Sequence, residues 1–392
     1  MKVLYCNPSF WDYRLPFYNR LKELFKGEFY VIYSPKRYCG REKLLDKIRI
    51  VLGKNALPYE NEPMFDVHTR SFNHFSEGYQ QIPIPLGLLR KIHKVHPDVL
   101  ITEGFFQWTP LVVLYGLIFR TPVFIGYERT LHTERNSGKI RKWHRIFTDL
   151  FIRGYLVNGF ETKKYLLSIG IKESKIHIGG MSADSEGLRN GIASLTIDEK
   201  KAMLTKYKRK DGIVFLFCGA LIERKGVEPL LEAWQKYTLT HPNDTLLMVG
   251  GGILENKLKS KFGSIPTVFI EGRKEYSEVC KYYAIADVFI LPTIEDNWSL
   301  VIPEAMSCGL PVATSIYNGC HTELIHEGEN GITFDTFNQA SIIQALNFFH
   351  GRDLKLMGKK SIEFEKPFDT EHCAQRTYQV IISNAKIASK HE

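Results

Sequence analysis

The 392-residue sequence has 44% hydrophobic and 24% charged residues, the balance of a globular protein, and its length favours two domains over one. Its formal net charge of +9 favours an anionic partner such as a nucleotide, a nucleic acid or an acidic membrane surface. The longest apolar run, residues 111–119, is far shorter than the ~20 residues of a membrane-spanning helix. The seven cysteines are scattered and form no CxxC pair. This pattern predicts free thiols in a reducing cytosol and no zinc site.

The first half of the chain alternates strand-like and helix-like runs. Strands are predicted at residues 2–7, 29–34, 98–104 and 122–128, and helices at 13–25, 86–96 and 110–119. This alternation is typical of an α/β domain with a parallel sheet.

Two basic runs, residues 36–54 and 139–147, carry apolar side chains between their cations. In the first run the apolar stripe is Leu44, Leu45, Ile48 and Val51. Such helices suit an anionic membrane surface and a lipid-linked partner. The alternative is that both runs are solvated faces of packed helices.

Residues 181–200 are polar and rich in glycine and serine, so the sequence predicts a linker there. The strands predicted after it each precede a helical pattern and lie at residues 213–219, 245–252, 267–272, 287–292 and 311–315. The predicted domains are therefore 1–184 and 185–365. Residues 366–392 are predicted to form a C-terminal helix that packs back on the first domain.

Ligands of open α/β sheets bind beyond the carboxyl ends of the strands, so functional residues are expected there. Gly219 ends a strand, and Arg224 and Lys225 come just before a helix, with Gly226 allowing a tight turn. Two cations beside a helix start favour a bound phosphate. A solvated basic loop is the alternative.

Two weaker candidates lie at neighbouring strand ends. Gly251 belongs to the run "VGGG", where a ligand or another backbone can approach closely, although a tight turn explains the run equally well. Arg273 and Lys274 follow the next strand and could approach a base, or they could be two exposed cations.

Acids stand at the entrance and on the first turn of another predicted helix. Ser299 is its predicted N-cap, and the amides of Leu300 and Val301 would point at an anion. Glu304, about one turn later, could accept both hydroxyls of a ribose diol. Asp296 would reach another part of the same ligand, or would complement the helix dipole at ~0.3–1 kcal/mol. This arrangement is typical of a nucleotide-sugar site.

The stretch "DNWSLVIPEAMSCGLPVATS", residues 296–315, resembles the E-x7-E block of glycosyltransferase family 4, which are retaining enzymes of the GT-B fold. "GALIERKG", the glycine-rich strand end, "ADVFILP" and "ELIHEGENGITF" stand in the family's order, so the resemblance covers roughly residues 212–335. It implies two Rossmann-like domains facing across a cleft. It also implies a retaining, metal-independent hexosyltransferase of the type that assembles bacterial cell-surface glycans.

The resemblance implies roles for the acids. Glu304 would bind the nucleotide ribose, and Asp296 would contact the hydroxyls of the donor sugar. The family usually has glutamate at the latter position, and the adjacent Glu295 could take the role. Ala220 stands where the family often has an arginine, for which Arg224 could substitute. The donor would be a nucleoside-diphosphate sugar, with UDP and GDP not distinguished, and no further cofactor or metal is expected.

Catalysis would depend on both halves. Arg224, Lys225 and the amides of residues 299–301 would stabilise the charge that grows on the leaving β-phosphate. Where many family members have a histidine after a strand of the first half, this chain has Glu128, with His132 one helical turn later. We predict Glu128 as an acidic cleft residue and His132 as its partner; the alternative is a structural ion pair between Glu128 and Arg129 or Arg135. Glu103 is a further, weaker candidate.

The predicted acceptor is a glycan or a lipid-linked sugar, handled by a cytoplasmic protein held peripherally at the inner face of the cell membrane. One alternative is a GT-B enzyme that is not a transferase, such as a nucleotide-sugar epimerase, which would hydrolyse its donor without a glycan acceptor. A weaker alternative is a nucleic-acid-binding protein, which the charge alone suggests. The sequence carries no helix-turn-helix, zinc-finger or RNP pattern, so no nucleic-acid partner is predicted.

Overall fold

The computed structural model describes residues 1–38, 41–60, 62–68, 79–83, 85, 87–208 and 211–388. The chain divides into two compact units: unit 1 is Met1–Ser182 with Thr370–Glu392, and unit 2 is Ala183–Asp369. The sequence had placed these two divisions at 184/185 and 365/366. Each unit is built of helices around a parallel sheet, which confirms the predicted α/β class with two Rossmann-like halves.

Unit 1 contains a seven-stranded parallel sheet and a separate antiparallel strand pair. Its strands are β1 (Val3–Cys6), β2 (Phe29–Tyr33), β3 (Ala56–Pro58), β4 (Met64–His68), β5 (Tyr79–Pro83), β6 (Val99–Glu103), β7 (Val123–Tyr127), β8 (Gly154–Val157) and β9 (Ile176–Ile178). Its helices up to residue 182 are α1 (Arg14–Leu24), α2 (Glu42–Leu52), α3 (Leu88–Val95), α4 (Thr109–Phe119), α5 (Lys139–Asp149) and α6 (Phe160–Ser168). The order in the large sheet is β3-β2-β1-β6-β7-β8-β9, and β4 pairs with β5.

The sheet of unit 1 has an apolar core on each face. One core contains Tyr18 and Leu21 of α1 and Ile48 of α2, and the other contains Ile92 of α3 and Val112 of α4. Because both faces are covered, β1 and β7 are buried along their whole length and read as continuous apolar runs.

The apolar stripe of the first basic run faces the core rather than the surface. Leu44 and Ile48 of α2 are buried, and Leu45 and Val51 pack against the same cluster. The prediction that this stripe suits a membrane is therefore wrong, because the stripe is the packing face of α2. Residues 39–40 of this run, and Cys39 with them, lie outside the described residues.

Unit 2 contains a six-stranded parallel sheet. Its strands are β10 (Val214–Cys218), β11 (Thr245–Val249), β12 (Val268–Gly272), β13 (Val288–Leu291), β14 (Val312–Ser315) and β15 (Gly331–Phe334). Its helices are α7 (Ser185–Ala193), α8 (Ile197–Tyr207), α9 (Val227–Tyr237), α10 (Glu255–Phe262), α11 (Tyr276–Tyr283), α12 (Val301–Ser307), α13 (His321–Leu324), α14 (Gln339–Asn347) and α15 (Leu354–Glu365). The order is β12-β11-β10-β13-β14-β15, so β10 lies beside β13 although two strands separate them in the sequence.

The last helix, α16 (Thr370–Ala388), belongs to unit 1. Glu371 accepts hydrogen bonds from Arg20 of α1, the shorter at 2.5 Å, and the ring of Tyr378 lies 4.9 Å from that of Phe25. The C-terminal segment of the chain is therefore a packed part of the first unit.

The predicted linker, residues 181–200, is not a linker. It contains all of α7 and the start of α8. Asp184 caps α7 by accepting from the amide of Gly187 at 3.0 Å, and Thr196 forms a capping box with Glu199 at the start of α8. The polar composition reflects these caps, since Ser, Thr and Asp at helix starts satisfy backbone amides.

Six cysteines of the described residues are free thiols: Cys6, Cys218, Cys280, Cys308, Cys320 and Cys373. Within the described ranges, none of the helices has both the length and the apolar character needed to cross a membrane.

Candidate functional site

The first candidate region lies at the carboxyl ends of β10, β11 and β13 in unit 2, where an open α/β sheet binds ligands. Here the glycine run after β11 packs against the corner after β10. A Cβ atom added to Gly250 would lie 1.9 Å from the carbonyl oxygen of Gly219, and one on Gly252 would lie 2.4 Å from that of Leu221. These two glycines are therefore required by the close approach of another backbone, one of the explanations that the sequence offered for the run.

Gly251 and the cations after β12 lie beside this corner in different ways. The carbonyl of Gly251 accepts from the amide of Leu221 at 3.0 Å, and a Cβ on Gly251 would lie 3.2 Å from that of Arg273. Arg273 is exposed there. Lys274 instead pairs with Glu271 at 3.3 Å. Burial lowers the pKa of Lys274, but Glu271 and Tyr282 together raise it, so that it lies above its ordinary value. Of the two cations, Lys274 is thus held within the unit.

The basic corner after β10 rests directly on the loop after β13. Glu223–Lys225 form a single 3-10 turn, followed by Gly226 at φ +64°. A Cβ on Gly226 would lie 1.8 Å from the carbonyl oxygen of Pro292, and the carbonyl of Arg224 accepts from the amide of Ile294 at 2.8 Å. Only glycine fits this position, both for its conformation and for the close approach of the two backbones.

The side chains of the two corners form one ionic cluster across 71 residues of sequence. The ammonium of Lys225 donates to the carboxylate of Asp296. The guanidinium of Arg224 donates to the carbonyl of Glu295 at 2.9 Å and lies 3.9 Å from Asp296. Ser299 Oγ donates to Asp296 Oδ2 at 2.5 Å. The structure therefore brings together five of the residues that the sequence singled out.

Asp296 is the centre of this cluster and is 9% exposed. Burial raises the pKa of its carboxyl, but Lys225, Arg224 and the hydroxyl of Ser299 lower it by more, so the pKa lies below its ordinary value. The carboxylate is charged at neutral pH, and it partly neutralises the two cations that were predicted to face a phosphate.

Ser299 is not the N-cap of the following helix, contrary to the sequence prediction. The helix α12 starts at Val301, its N-cap is Leu300, and no side chain caps it. The hydroxyl of Ser299 is turned to Asp296, while its carbonyl accepts from the amide of Ile302 at 3.1 Å. The hydroxyl is directed by its charge-assisted hydrogen bond to the buried carboxylate, and the helix begins two residues later, at Val301.

Glu304 lies in the first turn of α12 and is half-buried. Burial raises the pKa of the Cys218 thiol to about 12, and the charge of Glu304 contributes to that shift. Burial likewise raises the pKa of Tyr283, again with a contribution from Glu304. Glu304 therefore stands near Cys218, the last residue of β10, on the same edge of the sheet as the basic corner.

The second candidate region is a cavity of about 340 Å³ in unit 1, at the carboxyl ends of β1, β6 and β7. It is polar and aromatic in character, and its lining residues are Asn7, Pro8, Ser9, Phe10, Trp11, Tyr13, Arg14, Glu103, Gly104, Phe105, Phe106, Gln107, Gly126, Tyr127, Glu128 and Arg129. The predicted Glu128 and the weaker candidate Glu103 both line it, whereas His132 does not.

Glu103 is held in a network that the sequence analysis missed. Tyr5 donates to Glu103 Oε1 at 2.5 Å, and Arg14 donates to the same oxygen at 3.3 Å. Burial lowers the pKa of Arg14, but Glu103 and nearby tyrosines raise it well above its ordinary value. The sequence signal for Glu103 was its position at a strand end. Its partners Tyr5 and Arg14 lie in β1 and α1, and no sequence pattern connected them with Glu103.

Glu128 is exposed directly after β7, and its carbonyl accepts from the hydroxyl of Thr162 at 2.9 Å. His132 does not follow on a helix, because residues 131–136 form turns. The hydroxyls of Thr130 and Thr133 bond to each other's amides at 3.2 and 2.9 Å and so stabilise the turn. The predicted helical spacing of Glu128 and His132 is therefore wrong.

Of the two arginines suggested as structural partners of Glu128, Arg129 lies 3.4 Å from the buried Glu134, and Arg135 donates to the carbonyl of His132 at 2.5 Å. In the described part of the chain, no group of three or more His, Cys, Asp or Glu side chains is arranged to hold a metal ion.

Residues 198–354 match the family of glycosyl transferases group 1. Sulfoquinovosyl transferase SQD2 of Arabidopsis thaliana is 29% identical over 350 residues, covering 83% of this chain and 64% of that protein. Alpha-monoglucosyldiacylglycerol synthase of Acholeplasma laidlawii is 28% identical over 150 residues, covering 36% and 37%. The chain thus spans less than two thirds of the length of either relative.

Solved structures share the fold over nearly the whole chain. The Anabaena protein Alr3699/HepE in complex with UDP has a TM-score of 0.75 at 14% identity and covers 98% of this chain and 100% of its own. A glycosyltransferase of Rickettsia africae has a TM-score of 0.71 at 17% identity with 100% of both chains covered. Sucrose-phosphate synthase of Thermosynechococcus elongatus has a TM-score of 0.66 at 15% identity and covers 98% and 99%. The fold is thus that of GT-B proteins, and residues 198–354 match a glycosyltransferase group 1 domain.

Proposed function

We propose that this chain is a retaining glycosyltransferase, which moves a hexose-type sugar from a nucleoside-diphosphate sugar to a glycan or lipid-linked acceptor in cell-surface polysaccharide assembly. The observation that carries the proposal is the cluster of Arg224, Lys225 and Asp296, followed by Glu304 in the first turn of α12. It lies at the carboxyl edge of the sheet within the region that matches the group 1 family. Cations, a fixed carboxylate and a second acid at one strand edge suit a diphosphate flanked by two sets of hydroxyls.

On the donor side, the leaving group is a nucleoside diphosphate. Lys225 and Arg224 would stabilise the charge that develops on its β-phosphate, and Asp296 would hold both cations in place before the donor arrives. Glu304 would accept the ribose hydroxyls, and the amides at Leu300 and Val301 would approach the phosphates. The complexes of the Anabaena protein with UDP and with UDP-glucose support a donor of this class.

The reaction is proposed to proceed without a metal ion and with retention. The acceptor would attack the sugar on the face that the phosphate leaves, and the leaving phosphate would take the acceptor's proton. The negative charge on the leaving phosphate would then be stabilised by the chain's own cations, which is a form of electrostatic catalysis.

On the acceptor side, the cavity of unit 1 suits a sugar. The carboxylates of Glu103 and Glu128 could accept hydrogen bonds from hydroxyls of the acceptor sugar. The rings of Trp11 and Phe106 are 53% and 50% exposed and could cover the apolar faces of that sugar. Glu128 would position the acceptor, with His132 supporting the loop behind it. The acceptor is proposed to be membrane-borne, so the protein would act peripherally at the inner face of the membrane.

The test is a screen of UDP- and GDP-sugars against lipid-linked acceptors, with products identified by mass spectrometry and the anomer by NMR. Lys225→Ala should abolish most of the activity. The matched control is Lys257→Ala, which removes a lysine of unit 2 that pairs with Glu228 at 2.7 Å and belongs to neither candidate region, and it should leave the activity unchanged.

Several outcomes would contradict the proposal. Equal consumption of the donor with and without acceptor would indicate a hydrolysing epimerase. An inverted anomer would exclude retention, and complete loss of activity in EDTA would exclude the metal-free mechanism.

A further inference from the structure

Helix α5 has an apolar face that is turned to solvent. Arg145, Thr148 and Ile152 are buried on one side of this helix and its C-terminal extension. Large apolar side chains at spacings of three and four residues occupy the other side. We define them as the α5 face: Ile140, Trp143, Phe147, Leu150 and Phe151, which are 87%, 70%, 61%, 70% and 36% exposed.

This arrangement reverses the usual one. A surface helix of a globular protein buries its apolar stripe and exposes its charged residues. Here the stripe is exposed, and the buried side contains a charged residue, Arg145, whose guanidinium pairs with the buried Glu134 at 2.8 Å. Contiguous apolar patches of this kind mark an interaction surface.

The charges around the α5 face are positive. Arg135, Lys139 and Lys142 are exposed. Two acids on or close to α5 in the sequence are withdrawn: the side chain of Glu134 is fully buried, and Asp149 pairs with Lys175 at 3.2 Å. Outward-pointing cations beside exposed tryptophan and phenylalanine complement a layer of anionic headgroups over acyl chains.

Helix α5 adjoins the cavity of unit 1. The ring of His144 on α5 stacks on that of Phe106, with centroids 5.0 Å apart and planes 7° from parallel. Phe106 also lines the cavity. A surface that bound the α5 face would therefore lie next to the proposed acceptor site.

We infer that the α5 face docks on an anionic phospholipid bilayer, with Trp143, Phe147 and Ile140 entering the boundary between headgroups and acyl chains. Its role in presenting a membrane-borne acceptor rests on the proposed function. A second copy of the chain is the poorer occupant, because a two-fold contact would bring the same cations close together on both sides.

The experiment measures binding of the full chain to vesicles, without donor or acceptor. Vesicles of phosphatidylcholine are compared with vesicles that also contain phosphatidylglycerol. The variant Ile140→Ser/Trp143→Ser/Phe147→Ser should bind anionic vesicles at least ~10-fold more weakly, because three membrane-entering side chains are lost. The matched control is Ile197→Ser/Leu239→Ser/Ile253→Ser in unit 2, whose residues are 84%, 81% and 87% exposed, and it should bind as the unchanged chain does.

A second pair of measurements separates charge from apolar contact. Lys139→Glu/Lys142→Glu should weaken binding to anionic vesicles at least ~10-fold and bring it to the level seen with phosphatidylcholine alone. Anionic vesicles should shift the tryptophan emission of the unchanged chain to the blue, and Trp143→Phe should remove most of that shift.

Three results would overturn the inference: equal binding by the α5 variant and its control, equal binding of the unchanged chain to both vesicle types, or a solution dimer that the α5 variant disperses. Melting temperatures of the variants verify that they are folded, and exposed substitutions should leave them unchanged. If the vesicle results hold and no transfer is found, the proposed function fails and the docking surface stands.

Discussion

Asp296 in unit 2 and Glu103 in unit 1 occupy comparable places with different surroundings. Each lies at or just after the carboxyl end of a parallel strand, accepts a 2.5 Å hydrogen bond from a hydroxyl, and pairs with a cation. The side chain of Asp296 is 12% exposed and that of Glu103 is 24% exposed. Asp296 is enclosed by a second corner of its own sheet, whereas Glu103 stands on the wall of a cavity.

This difference separates two uses of a carboxylate at a sheet edge. Asp296 pairs with Lys225, and the backbone of the neighbouring Arg224 is hydrogen-bonded to the loop that carries Asp296. Asp296 can therefore fix the geometry of the basic corner after β10. Glu103 is anchored by Tyr5 and Arg14 and still lines open space, so it can meet a ligand. We expect substitutions at the first acid to act through position and stability, and those at the second to act through affinity.

The largest effect is expected when the ion pair of Asp296 is broken. Lys225→Ala leaves a buried carboxylate without its main cation, which costs about 3–5 kcal/mol of stability for a fully buried pair and less where Arg224 compensates. Turnover should fall at least ~10-fold, since a charge that stabilises the transition state is lost. Because this pair is buried, the substitution should lower the stability of unit 2 as well as turnover.

The double variant Lys225→Ala/Asp296→Asn is the control, measured by urea unfolding and by turnover. It should recover stability, because the lone carboxylate is gone, but not turnover. Recovery of both would mean that Lys225 serves only to neutralise Asp296.

Gly226→Ala should break the contact between the corners without removing a charge. The new Cβ meets the carbonyl of Pro292 at 1.8 Å, and the residue must keep a positive φ of +64°. Overpacking and left-handed backbone together should destabilise unit 2 by about 2–5 kcal/mol. Gly351→Ala, at φ +71° with no atom within 4 Å of the new Cβ, is the matched control and should cost only about 1–2 kcal/mol. Equal urea midpoints for the two variants would contradict the close packing of the corners.

Glu304→Gln sharpens the comparison between the two acids of unit 2. It retains the size but loses charge-assisted hydrogen bonds to the ribose, about 1.5–3 kcal/mol, so it should weaken both free nucleoside diphosphate and intact donor. Asp296→Asn should leave the affinity of the free nucleotide nearly unchanged and reduce turnover or alter sugar preference.

Calorimetry on the free nucleotide, beside kinetics on the intact donor, distinguishes the roles of Glu304 and Asp296. Equal loss of nucleotide affinity in both variants would refute this division of roles. If only Glu295→Gln changed the sugar preference, the contact with the donor sugar would belong to Glu295 instead of Asp296.

The smallest effect on stability is expected at the cavity of unit 1. Glu103→Gln can keep the hydrogen bond from Tyr5 but loses the charge that pairs with Arg14, which should cost about 1 kcal/mol. The acceptor KM should rise ~10-fold if the carboxylate meets an acceptor hydroxyl, while nucleotide affinity stays unchanged. Glu128→Gln, on the exposed rim, should leave stability unchanged. An unchanged acceptor KM in both variants would show that this cavity is not the acceptor site.

Much of the unit 2 site could be predicted because its signals are local. Arg224, Lys225, Gly226, Asp296 and Glu304 stand at strand-to-helix corners, which alternation of strands and helices locates without tertiary information. The unit 1 site was predictable only in part. Glu103 and Glu128 end strands and were found, whereas Tyr5 and Arg14 have no local signal that distinguishes them from packing residues.

The sequence alone therefore determined the alternating elements, the α/β class and the corners where chemistry can occur, because these depend on periodicity and on residues close in the chain. Only the tertiary structure decided which corners meet. The strand order places β13 beside β10, so Asp296 reaches Lys225, and Ser299 turns to that carboxylate instead of capping a helix. It also decided that the apolar stripe of α2 faces the core while that of α5 faces solvent. Two basic amphipathic patterns look alike in sequence, and the direction of each face depends on what the sheet places next to it.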